Sequence, residues 1–201
     1  MDATGVLLLG GLSRRFGSVK ALAPLGSETL AERAWRALGD AFPHRIAVGK
    51  EADQLGFPFE VLDDGIEVRA PIAGVVAGLR AVQTEIAVFL PVDCPLVTPE
   101  ALRELAEACS DAAVPVGSPL PCAYARSALP VLEARLAAGE LDLQEALSEL
   151  DARTVELGRR PARQHQHRAR ARPTTGDRYV AARLQAGRTR RRRGSSSRGT
   201  R

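Results

Sequence analysis

The chain has 201 residues, 45% of them hydrophobic and 26% charged, enough for one full core, and no apolar run approaches the roughly 18 residues of a membrane-spanning helix. Its formal net charge of +4 averages two unlike parts: residues 158–201 hold 15 Arg against Asp177 alone, net +14, while residues 1–157 hold 13 basic and 23 acidic side chains, net −10. Three cysteines, Cys94, Cys109 and Cys122, are odd in number and form no CxxC pair, which argues against a disulfide framework or a zinc site and for reduced thiols in cytoplasm.

The N-terminus carries no basic n-region and no signal-like apolar core, so the expectation is a cytoplasmic protein. Short apolar runs then alternate with helical patterns, the signature of α/β units wound into a sheet. The strands expected are 4–9, 45–49, 59–62, 86–91, 112–116, 121–125 and 152–157. They predict a three-layer α/β fold with a mostly parallel, Rossmann-like sheet flanked by helices over residues 1–157.

The first strand runs into Gly10-Gly11-Leu12-Ser13-Arg14-Arg15-Phe16-Gly17, then Ser18-Val19-Lys20. Glycines at a strand end let backbone N–H groups approach anionic oxygens, and Arg14, Arg15 and Lys20 bring three cations to one turn. This composition suits a polyphosphate whose charge shifts as one phosphate departs. Thr29, with Glu32 three residues on, has the spacing of a capping box for the helix that follows.

Asp63-Asp64 closes the third strand before Gly65. Either carboxylate suits a ribose, a base or a metal, and Asp-Asp-Gly is equally an ordinary turn. Gly74 and Gly78 lie in a small-residue helix opening after Pro71, which fits a close nucleotide approach or plain helix packing. The apolar run Ile86–Val92 ends at Asp93-Cys94-Pro95, placing a carboxylate at the edge of a buried strand. Mg²⁺ is commonly held by one or two such carboxylates plus substrate phosphates and waters.

Thr98, Pro99 and Glu100 fix the start of another helix, Ser127 is expected to cap one ending at Gly139, and Asp142 with Glu145 the next. Other chemistries lack their parts. His44 is the sole histidine before residue 158, and no GxSxG, GxGxxG or GxxxxGK[ST] occurs. Nucleotidyl transfer remains.

The ordered set Leu8-Leu9-Gly10-Gly11-x-Ser13-x-Arg15-Phe16-Gly17 with Lys20-Ala21-Leu22, Pro71-Ile72-Ala73-Gly74 with Gly78-Leu79, and Pro91-Val92-Asp93-Cys94-Pro95 resembles the molybdenum cofactor guanylyltransferase family. That family sits within the wider MobA-like nucleotidyltransferases, and the resemblance covers about residues 4–157. The segment Pro121–Arg126 and the helix with Leu136-Ala137-Ala138-Gly139-Glu140 lean toward the guanylyltransferase. The resemblance implies GTP bound by Leu8, Leu9, Gly10, Gly11, Ser13, Lys20, Asp64 and Gly74. It implies Arg15, Lys20 and Asp93 in catalysis, Asp93 on Mg²⁺, and molybdopterin or molybdenum cofactor as the acceptor of GMP. A cytidylyltransferase for molybdopterin or a sugar-phosphate nucleotidyltransferase is the enzyme alternative. The other is a catalytically impaired protein whose basic tail binds nucleic acid.

Three departures from the family pattern are legible. Val19 stands where Asp usually precedes the loop lysine, the segment Ile46-Ala47-Val48-Gly49-Lys50 lacks the usual Asn, and no Asn-x-Asn-Thr-Pro motif follows Leu157. Instead residues 158–201 are Arg-rich, with Arg190-Arg191-Arg192-Arg193, and are expected to be disordered. Codons CGT-CAA-CAT-CAA-CAC-CGN for Arg163–Arg168, read one base later, encode Val-Asn-Ile-Asn-Thr. This is compatible with a frame shift near residues 157–162, which resequencing the DNA would test.

Overall fold

The structure is a computed structural model that describes residues 2–9, 20–50 and 56–158. The chain divides into two units, Met1–Arg159 and Arg160–Arg201, and the described residues all belong to the first.

β1 (Ala3–Leu8) is buried at all six positions, as a strand covered on both faces must be. A single 3₁₀ turn, Lys20–Leu22, and a short hairpin of β2 (Pro24–Leu25) and β3 (Glu28–Thr29) lead into α1 (Leu30–Ala41). The capping box forms as the spacing predicts. Thr29 Oγ1 accepts from the Glu32 N–H at 3.2 Å, and Glu32 Oε2 accepts from the Thr29 N–H at 2.8 Å.

β4 (His44–Gly49), β5 (Val61–Asp63), α2 (Pro71–Ala81), β6 (Ile86–Pro91) and α3 (Pro99–Ala108) follow. Thr98 caps α3, accepting from the Ala101 N–H at 3.3 Å. β7 (Ala112–Pro115), β8 (Cys122–Ala125), α4 (Leu129–Ala138), α5 (Leu143–Ala146) and β9 (Ala152–Val155) complete the described chain.

Seven strands form one sheet in the order β5-β4-β1-β6-β8-β7-β9. Pairings β5–β4, β4–β1, β1–β6 and β7–β9 are parallel, and β8 runs antiparallel to both of its neighbours. The mostly parallel three-layer arrangement is therefore observed. Alternation along the strands divides the core: Val6, Leu8, Phe89 and Tyr124 pack with residues of α2, α4 and α5, while Leu7, Leu9, Val88 and Leu90 pack with α1 and α3.

Strand ends fall within one residue of expectation except at two boundaries, and one cap also differs. Phe59 is outside β5 because its ring stacks between Trp35 at 4.3 Å and Phe57 at 5.2 Å, an apolar role that needs no strand pairing. β9 ends at Val155 rather than at residue 157. Ser127 caps nothing: its hydroxyl donates to Asp111 Oδ1 at 2.7 Å, and α4 starts after Ala128 without a side-chain cap. Gly139 does end α4, at φ +77, and Asp142 does cap α5 by accepting from the Gln144 N–H at 2.7 Å.

Candidate active site

β1 lies between β4 and β6, and its two parallel neighbours are reached by connections leaving in opposite directions. In open α/β sheets the crevice beyond the carboxyl ends at such a point is where ligands bind. The strands deliver the expected residues there. Leu8 is in register with Pro91, so Asp93 stands two residues beyond the last paired position of β6. The turn holding it is closed by Cys94 N–H to Pro91 O at 3.3 Å and Val97 N–H to Cys94 O at 3.2 Å.

Lys20, which begins the next described segment of the chain, reaches the same crevice. Ala21, buried among Leu9, Leu90 and Val92, plants the 3₁₀ turn on the sheet and leaves Lys20 facing outward. Its Nζ donates to Asp93 Oδ2 at 3.0 Å across 73 residues of sequence, with the two side chains 43% and 50% exposed. The cation and the carboxylate predicted to work together are thus in contact. Gly10, Gly11, Ser13 and Arg15 lie outside the described residues.

The remaining predicted contacts are placed as follows. Leu8 and Leu9 have buried side chains, and the Leu9 N–H is committed to Val48 O at 2.9 Å, so a ligand would meet only their remaining backbone groups. A Cβ on Gly74 would come within 2.9 Å of Leu8 Cδ2, and one on Gly78 within 2.6 Å of Phe89 Cε1. Close seating of α2 on the sheet accounts for both glycines. Segment Cys122–Ala125 is interior strand rather than crevice, with Tyr124 fully buried edge-on to Phe89.

Three residues went unassigned in the sequence. Arg33, on α1, donates through Nε to Pro95 O at 2.8 Å and braces the Asp93 turn, while Glu28 accepts from both Arg33 and Arg36. Lys50, at the end of β4, donates to Asp64 Oδ1 at 2.6 Å. Cys94 lies beside Asp93, where burial first and then the neighbouring carboxylate push its thiol up to about 11. A thiol so raised stays protonated at neutral pH and is no nucleophile.

Among the described residues no group of three or more His, Cys, Asp or Glu side chains gathers as a metal cage. Asp93 nevertheless fits Mg²⁺, since a half-exposed carboxylate at a strand end offers the hard oxygen donor that ion prefers, and substrate phosphates and waters supply the rest.

A doubly covered sheet with Lys20 and Asp93 in contact beyond its carboxyl ends suits phosphate chemistry, and comparison with known proteins identifies the class as nucleotidyltransferase. The MobA-like NTP transferase domain matches residues 5–155, and the chain belongs to that family. It is 32% identical over 163 residues to a probable molybdenum cofactor guanylyltransferase of Chloroflexus aggregans, covering 75% of this chain and 78% of that protein. To the Bacillus licheniformis protein of the same description it is 33% identical over 167 residues, covering 78% and 85%. Among solved structures, the molybdopterin-guanine dinucleotide biosynthesis protein A of Archaeoglobus fulgidus superposes with a TM-score of 0.66 at 26% identity, covering 76% of this chain and 83% of that one.

Proposed function

We propose that the protein moves GMP from GTP to molybdopterin with release of pyrophosphate, using Mg²⁺. The observation that carries this reading is the Lys20–Asp93 contact at the switch point, one cation and one metal-type carboxylate where a triphosphate would lie. The named relatives supply the nucleotide and the acceptor.

In the reaction an oxygen of the acceptor's terminal phosphate bonds to the α-phosphorus of GTP. The bond from that phosphorus to the bridging oxygen breaks, and pyrophosphate carries away its electron pair. Lys20, together with Arg15, stabilises negative charge on the transferring and leaving phosphates. Asp93 would hold the Mg²⁺, which when bound neutralises phosphate charge and orients the leaving group. Arg33 keeps the Asp93 turn in place from α1. No protein nucleophile is needed, in keeping with the raised Cys94 thiol.

Pyrophosphate release with molybdopterin, followed with GTP and separately with CTP, tests the reading. Turnover is expected with GTP, to cease on chelation of the metal, and to fall roughly 10²–10³-fold in Lys20→Ala, the loss typical of one donor to developing charge. Preference for CTP would overturn the choice of nucleotide, and unchanged turnover in Lys20→Ala would overturn the site.

A further inference from the structure

The end of β4 is built with more care than a surface turn requires. Lys50 Nζ donates to Asp64 Oδ1 at 2.6 Å, to the Ile66 carbonyl, and to the Val68 carbonyl at 3.2 Å. An ammonium has three hydrogens, and all three go to residues 64–68. The two charged side chains are only 13% and 8% exposed. Charges so far from water persist only when paired and hydrogen-bonded, so removing either partner strands the other.

The segment it holds is fixed from other directions too. The Asp64 N–H donates to Gly49 O at 2.9 Å, continuing the β4–β5 ladder one residue past the Gly49–Asp63 pair. Asp64 Oδ1 also accepts from the Ile66 N–H at 3.0 Å, and Asp63 Oδ1 accepts from the Gly65 N–H at 2.6 Å, with Gly65 at φ +67. From this turn the chain reaches Ala70 and α2, which opens with no side-chain cap and rests Gly74 on Leu8. Lys50 therefore couples the end of β4 to residues 64–68 on the approach to α2.

We infer that Lys50 is a positioning residue for the nucleoside half of the donor triphosphate. The inference rests on the proposed nucleotidyl-transfer reading, which puts the phosphates at Lys20 and Asp93, beyond β1 and β6. On the far side of β1, beyond β4 and β5, the same edge of the sheet carries the pinned 63–68 segment, whose polar groups not taken by Lys50 are the chemistry that meets the hydroxyl and amino groups of a ribose or base. Lys50 touches no substrate. It holds Asp64 and the 64–68 backbone in one arrangement, so that binding the nucleoside does not incur the cost of ordering them.

Lys50→Met, steady-state kinetics with GTP, and competition by inorganic tripolyphosphate test this. Tripolyphosphate has the charge of the donor's phosphates and no nucleoside. The variant is expected to raise the KM for GTP roughly tenfold, the size of one lost hydrogen bond to a charged group, with kcat nearly unchanged and the inhibition constant of tripolyphosphate unmoved. Lys50→Arg keeps the charge but spreads its donors over a planar fork, and is expected to raise KM about threefold. Arg also serves as the measurement if Met does not fold. A KM that stays put, or one that rises in step with the tripolyphosphate constant, would overturn the positioning role while leaving the nucleotidyl-transfer reading intact. Wild-type protein that neither binds nor turns over GTP or CTP would overturn both.

Discussion

Asp111 illustrates how a single exposed carboxyl can make stability depend on pH. Ser127 donates to its Oδ1 at 2.7 Å and the Asp151 N–H to its Oδ2 at 3.1 Å, and these bonds hold its pKa below the usual carboxylate value. The folded state binds this proton less readily than the unfolded one. Its contribution is therefore fully present above roughly pH 4, the ordinary aspartate value, and is lost as pH falls through the lowered folded value. Asp111→Asn is expected to be less stable than wild type in urea at neutral pH, with the gap closing in acid. A gap that is constant across pH would contradict the assignment. At the same scale the site was unevenly legible: Lys20 and Asp93 each adjoin a segment with a clear chemical signature, whereas Lys50 acts on a turn whose position depends on how β5 registers with β4. Spacing in sequence carries no trace of that register.

At the scale of elements, what the chain announces locally is what forms locally. Thr29–Glu32 and Thr98–Pro99 set the starts of α1 and α3 because cap chemistry involves neighbours within one turn. Ser127 had the right residue type but found a partner in Asp111, just before the neighbouring strand β7, so a tertiary bond displaced a local one. The β2–β3 hairpin, two residues per strand, is too short to show alternation. Between α4 and α5 the chain is held by Arg135, nearly buried, which pairs with Glu140 at 3.0 Å, Glu145 at 3.1 Å and Glu149. Arg135→Met would leave three carboxylates facing one another. The variant is expected to melt at lower temperature at pH 7, and part of the loss should be regained in high salt, which screens the repulsion among the three carboxylates. A deficit indifferent to salt would mean that packing of the arginine stem, rather than its charge, holds the two helices.

For the whole molecule, the division of charge matches the division of structure. Both core clusters are made of residues between Ala3 and Leu157, so the described hydrophobic interior belongs to the first unit. A chain ending at Arg159 is expected to unfold cooperatively at the same midpoint as the full protein, checked by calorimetry at equal salt. A fall of many degrees would show that residues 160–201 contribute to that core. The sheet order itself was not legible, because the antiparallel placement of β8 between β6 and β7 follows from packing of both faces and leaves no mark on the alternation of any one strand.

That reversed strand separates two inheritances. Because β8 runs against β6 and β7, residues 116–121 return at the same sheet edge that bears Asp93, as a hairpin loop turned at Gly117 with φ +79. Such a loop can lengthen, shorten or change its side chains without altering the register of β1, β4, β5 or β6. One half of the edge is bound by parallel crossovers and the buried Lys50–Asp64 ion pair, and the other is free to drift. A change in that loop would alter what faces Asp93 from the β8 side while leaving the Lys50–Asp64 pair and the Lys20–Asp93 contact where they are.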